Sequence, residues 1–137
     1  MITLVMRTRD WLRQADKDLH HSEMSLESQD YEWACFSAHQ AAEKAVKALL
    51  QSQHTDAWGH TVSKLILLSK EPQQLPNGLL DKCKRLDRHY IPSRYPNAHD
   101  SGAPMDFYTE DDARDAIETA RAIINYCKDQ IPTDQLP

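Results

Sequence analysis

Glycine is nearly absent from this chain: there are three in 137 residues, at positions 59, 78 and 102. No glycine-rich phosphate cradle can be assembled from them, so nucleotide binding of the P-loop or Rossmann kind is excluded. Cysteine is equally scarce. Cys35, Cys83 and Cys127 are odd in number, far apart and never arranged as Cys-x-x-Cys. They are expected to be reduced thiols of a cytosolic protein, two of them half-buried on helices, and not a disulfide framework. The seven histidines are scattered, and no Cys/His spacing resembles a zinc site. His20 and His21 point to different faces of a helix and are expected to be solvated. Neither a metal nor a cofactor is expected. No apolar run approaches bilayer length, and the opening Met1 to Arg7, apolar before basic, is too short for a signal peptide. A cytoplasmic location without a membrane partner is the expectation. A nucleophile elbow and a paired-carboxylate motif are missing too.

What is present is helix-forming material. Hydrophobic residues make up 40% and charged ones 27%, an ordinary soluble composition. Ala, Leu, Lys, Glu, Asp and Gln are plentiful while β-branched residues are few, which argues for an all-α chain. The length fits one domain, 1–137, with about 8–130 as its ordered core. A first helix is expected from Thr8, as N-cap, to about Ser28, with Trp11, Leu12, Ala15, Leu19 and Leu26 in one apolar stripe. Asp30 is placed to cap a second, from Tyr31 to Gln53. Its stripe is broad and rich in alanine, as in a helix either central to a bundle or shared with a second subunit. On the same helix Gln40, Glu43, Lys44 and Lys47 form a polar ridge, expected to be solvated. Thr61 to Ser69 reads as a short helix, and Asn77 to Tyr90 as another beyond Pro72 and Pro76. Residues 91 to 108 form an ordered loop. Thr109-Glu-Asp-Asp112 opens the last helix with acids in its first turn, and the tail after Ile131 is expected to fray. Short links between these segments imply an antiparallel up-and-down bundle of four to five helices.

One stretch departs from the acidic background. From Lys82 to His99 there are five Lys or Arg against one acid, Asp87, which is +4 in a chain of net −5 and leaves −9 for the rest. A cationic spot on an anionic body points to a local anionic ligand more than to general affinity for polyanions. Arg94 offers forked donors that match phosphate oxygens, and His99 can accept the proton of a ribose 2′-hydroxyl. Together they would suffice for RNA cleavage without metal, ending in a 2′,3′-cyclic phosphate. Against this stands the plain alternative that Arg94 bridges a carboxylate and His99 is a surface residue. Arg85 and Arg88, with Lys82 and His89 near their helix face, could line an anion pocket with Arg94 or simply be solvated. Tyr90, Tyr95 and Tyr108 could stack on a base or be half-buried loop aromatics.

Two strings carry a family resemblance. The segment from Trp33 to Leu50, with Gln40-x-x-Glu43-Lys44-x-x-Lys47, resembles the second helix of HEPN-domain proteins. The segment Leu86-Asp-Arg-His-Tyr-Ile-Pro-Ser-Arg-Tyr-Pro-Asn-Ala98, followed by Tyr108-Thr and an amphipathic helix, resembles the later half of that family. Trp11-Leu-x-Gln-Ala-x-x-Asp-Leu19 fits its first helix. The resemblance implies an antiparallel helical bundle that dimerises, often encoded beside a minimal nucleotidyltransferase in a toxin–antitoxin pair. Many members are metal-independent RNases whose Arg and His are separated by four to six residues, which maps onto Arg94 and His99. Here Tyr95 follows the arginine in place of a small polar residue, and Pro96 lies inside the motif where nuclease members have helix. The expected function is therefore a HEPN module that homodimerises and binds nucleotide or RNA phosphate through Arg85, Arg88, Arg94 and Tyr95, as partner of a nucleotidyltransferase. The alternative is an endoribonuclease toxin using Arg94 and His99. A third reading is a structural bundle whose basic segment docks on an acidic partner.

Overall fold

A computed structural model describes residues 7–137; the reading of the opening stretch therefore falls, but for Arg7, outside the described residues. Five α-helices follow one another: α1 (Thr8–Glu27), α2 (Tyr31–Ser52), α3 (Val62–Ile66), α4 (Leu79–Asp87) and α5 (Glu110–Gln130), with no strand among the described residues. The all-α bundle is as its composition dictates, built on three long helices and two short ones.

Helix α2 is the axis. Ala34, Cys35, Ala38, Ala41, Ala42, Ala45, Val46, Ala48, Leu49 and Leu50 are all fully buried, and α1, α3, α4 and α5 each pack against it. Methyl-sized side chains let neighbouring backbones approach closely, which is why so many alanines are tolerated in a core. The broad stripe is thus covered within this chain. Leu12 and Ala15 of α1 meet it, with Trp11, Leu19 and Leu26 half-buried alongside. From α5 come Ala113, Ala116, Ala120, Ile123, Ile124 and Cys127.

Several local expectations are corrected. Thr8 is the first residue of α1 and not its cap: Arg7 holds the cap position without a side-chain bond, and the Thr8 hydroxyl bonds instead to Gln135 Oε1 at 3.2 Å. Asp30 occupies the cap position of α2 but makes no capping bond. The tail after Ile131 does not fray. It forms a 3-10 turn at Thr133–Gln135, while Arg9 donates to the carbonyls of Asp134 and Leu136 and Leu136 packs on the core. Helix α3 ends at Ile66, three residues before the expected Ser69, whose hydroxyl folds back onto the Ile66 carbonyl at 2.6 Å. Helix α4 is shorter than 77–90 at both ends. Gly78, at φ 84°, delays its start, and Pro92 disfavours helical geometry at Ile91, so the chain past Asp87 proceeds in turns. The loop 91–108 is ordered as expected, with 3-10 turns at Pro96–Ala98 and Pro104–Asp106, each opened by its proline. The cysteines are more enclosed than half-buried: all three are buried, on α2, α4 and α5. Burial pushes the Cys35 and Cys83 thiols up to about 12 and raises Cys127 as well.

Candidate functional site

The turns that follow α4 place the basic segment against the flank of α2. Asp87, the one acid of the segment, is engaged elsewhere. Its carboxylate accepts from Val62 N at 2.6 Å, Ser63 N at 3.2 Å and Ser63 Oγ at 2.6 Å, so it caps α3 from a distance and ties α4 to it. Three residues on, the Tyr90 ring lies among Phe36, His39 and His60, at centroid distances of 6.4, 5.3 and 5.0 Å.

Arg94 is built onto this aromatic bed. Its guanidinium carbon lies 4.2 Å from the centroid of Phe36, 4.8 Å from Tyr90 and 4.9 Å from Tyr95, within cation–π range of each. Its Nε donates to the Tyr90 carbonyl at 3.0 Å. No carboxylate among the described residues pairs with it, which removes the ion-pair alternative. The side chain is half-buried, and among the described residues nothing pairs with its two terminal amino groups, which lie in one plane. Such a fork, held by rings and a carbonyl, is pre-organised for the oxygens of a phosphate.

His99 is fixed by different neighbours. Its Nε2 lies 2.8 Å from the Pro92 carbonyl, and its ring stacks on Phe107 at 4.5 Å and 6°. A carbonyl only accepts, so Nε2 carries a hydrogen, and in the neutral ring the lone pair is on Nδ1. Arg94 and His99 therefore share a loop but no contacting residue. Tyr95 is 47% exposed beside Arg94 and is the tyrosine of the three best placed to meet a base. Tyr90 is half-buried among Phe36, His39 and His60, and Tyr108 packs on the core next to His89. Arg85 turns toward α5, with Nε 3.7 Å from Asp115 and Nη2 3.4 Å from Thr119 Oγ1. Arg88 is exposed at the end of α4. Of the four grouped side chains, Arg94 and Tyr95 meet, whereas Arg85 is drawn to another helix.

Sequence reasoning missed the polar cluster under this bed. Glu43, expected on a solvated ridge, is 4% exposed; its carboxylate takes Lys47 Nζ at 3.2 Å and His60 Nδ1 at 2.9 Å. Lys44 of the same ridge reaches Asp18 on α1. His39 is fully buried and donates from Nε2 to the His60 carbonyl at 2.9 Å, leaving Nδ1 unpaired. Desolvation lowers its pKa from the ordinary 6.5 against the opposing pull of Glu43 and Asp87, so it is a neutral imidazole near pH 7. His89 is shifted down likewise by burial. The available signal was the spacing His39, Glu43, Lys47, an i, i+4 ladder set into the alanine stripe. His20 and His21 are exposed as expected, and no cluster of metal-ligating groups occurs among the described residues. Among them, no helix is long and apolar enough to cross a membrane.

A five-helix bundle whose α4–α5 loop sets an arginine against the second helix and carries a histidine five residues further on defines a class of small helical modules. Comparison with known proteins places the chain within it: the HEPN domain model matches residues 8–130, and the chain belongs to the HEPN family. It is similar to a crystal structure of a Thermus thermophilus protein, at 40% identity and TM-score 0.89, over 93% of this chain and 100% of that one. An archaeal HEPN homologue shares 41% identity at TM-score 0.80, again over 93% and 100%. An HEPN domain protein of Thermotoga maritima shares 36% at TM-score 0.70, over 88% and 96%. A Methanocaldococcus jannaschii protein named as a candidate toxin is 26% identical over 129 residues, covering 87% of this chain and 84% of that protein.

Proposed function

We propose that this HEPN chain is a toxin-like module that homodimerises and holds the phosphate of a nucleotide or RNA at Arg94, as partner of a nucleotidyltransferase. The observation that carries the reading is the Arg94 guanidinium, backed by three rings with its Nε on the Tyr90 carbonyl and no carboxylate partner among the described residues. Tyr95 supplies a face for a base, and the neighbouring Arg88 adds positive potential. The relative named as a candidate toxin supports the toxin-like role. For dimerisation, the support is an apolar rim around the site: Trp33, Ile91 and Tyr95 are 48, 44 and 47% exposed, and Trp33 packs edge-on against Phe36 beneath Arg94. Titration with AMP tests the ligand. Arg94→Ala is expected to weaken binding at least tenfold, on the order of one charge-assisted hydrogen bond; unchanged affinity would overturn the assignment. Sedimentation of Trp33→Glu tests the dimer face, with a shift to monomer expected.

The nuclease reading keeps one specific observation in its favour. The Pro92 carbonyl sets the His99 tautomer, leaving a Nδ1 lone pair of the kind a general base needs. RNA cleavage by wild type beside His99→Ala decides it: equal activity removes His99 from any mechanism.

A further inference from the structure

Glu43 is a buried carboxylate on a helix whose buried residues are mostly alanine, valine and leucine. A buried charge of this kind persists only with partners, and it has two, Lys47 Nζ at 3.2 Å and His60 Nδ1 at 2.9 Å. The geometry fixes one hydrogen of His60. A carboxylate accepts, so Nδ1 carries a hydrogen, and whenever the ring is neutral its lone pair is on Nε2. The His60 side chain is 53% exposed, and Nε2 has no protein partner among the described residues. Its position is fixed three times over: by Glu43, by the His39 Nε2–H on its own carbonyl at 2.9 Å, and by the stack on Tyr90 at 5.0 Å and 20°. The glycine before it, at φ 102°, makes the turn that delivers the ring there.

The Tyr90 ring that carries His60 also lies 4.8 Å from the Arg94 guanidinium carbon. An anion-matching fork and an outward acceptor thus flank one aromatic ring, both pre-oriented, one presenting donors and the other a lone pair. A ligand that satisfies the two at once has an anionic group next to a hydroxyl. A ribose bearing a 3′-phosphate is that chemistry, whereas its 2′-deoxy counterpart lacks the hydroxyl beside the phosphate that would donate to Nε2.

We propose that the Glu43–His60 pair is the ribose contact of the Arg94 site: His60 Nε2 accepts a hydrogen bond from the 2′-hydroxyl of a ribonucleotide whose phosphate lies on Arg94. Glu43 is a positioning residue, holding the tautomer and the ring plane. The inference rests on the assignment of Arg94 as the phosphate contact, and it narrows that ligand to a ribonucleotide or RNA in preference to DNA.

The test is an NMR titration of adenosine 3′-monophosphate against its 2′-deoxy analogue, neither of which contains an internucleotide bond to cleave. Wild type is expected to prefer the ribo form about tenfold, the worth of one hydrogen bond. His60→Phe preserves the stack on Tyr90 while removing both nitrogens. It is expected to abolish the preference while leaving the weaker deoxy binding unchanged. Arg94→Ala is expected to lose both ligands. Equal binding of the two ligands by wild type, or a preference that survives in His60→Phe, overturns the ribose contact and leaves the phosphate assignment standing. Wild-type affinity in Arg94→Ala, or no binding of either ligand by wild type, overturns the phosphate assignment and the ribose contact with it.

Discussion

His39 shows how far one residue can depart from its look in the sequence. It occupies a helix position between Ala38 and Gln40, is fully buried, and gives its Nε2 hydrogen to the backbone of His60. Burial lowers its pKa from 6.5, so the folded chain binds fewer protons than the unfolded one just below that value. Stability is fully present above about 6.5 and is lost as pH falls through it toward the lowered folded value. The decline is about 1.4 kcal/mol per pH unit for one such histidine. Thermal melting from pH 8 to pH 5 should show it, and His39→Gln, which keeps an amide donor for the His60 carbonyl, should flatten the slope. The portion that remains is assigned to His89, also lowered by burial. None of this could be read from the chain, because a histidine on an apolar helix face has the same spelling whether it is solvated, ligating or buried and neutral.

At the scale of elements, caps divide into those written locally and those supplied from afar. Helix α5 is the local case. Thr109 Oγ1 accepts from Asp112 N at 3.2 Å and Asp112 Oδ2 accepts from Thr109 N at 2.9 Å, a reciprocal box evident in Thr-Glu-Asp-Asp itself. Thr109→Ala should cost about 1 kcal/mol, measurable by urea denaturation. Helix α3 is the distant case. Its first amides bond to Asp87, some 25 residues away at Val62, and not to Thr61, which holds the cap position without a side-chain bond. Asp87→Ala strips acceptors from Val62 and Ser63 together, and should cost more than the Thr109 change, about 2 kcal/mol. It should also disturb the site, since Asp87 leads into the turn that carries Tyr90. The bounds of α3 and α4 were the least legible part of the fold for this reason: short helices are ended by what they touch, not by their own periodicity.

For the whole molecule the deciding feature is the centrality of α2. Its alanine stripe was legible as either an internal axis or a shared face, and packing on four other helices makes it the former. A core this closed protects its thiols. Cys35 and Cys83 are raised to about 12 and all three cysteines are buried, so a thiol reagent at pH 8 should modify none in the native protein and three after denaturation. Modification should follow global unfolding and not local opening. The C-terminal segment belongs to the same body: Gln135, Asp134 and Leu136 hold Thr8 and Arg9 at the start of α1. Ion pairs Arg121–Glu23 at 2.7 Å and Lys128–Asp16 at 2.8 Å join α5 to α1 along their exposed edges, with a small effect on stability in water.

The amino-acid sequence by itself determined the helical class, the three long helices, the ordered proline-rich loop and the cationic segment. Each depends on composition, on a repeat of three to four residues, or on local charge. Only the tertiary structure decided which polar groups share a site. Glu43 and His60 are 17 residues apart, and Phe36 meets Arg94 only because the turns after α4 fold back on α2. Periodicity reports the inward face of one helix. Which residue of another segment arrives there is set by how the elements pack, and that information is spread over the whole chain.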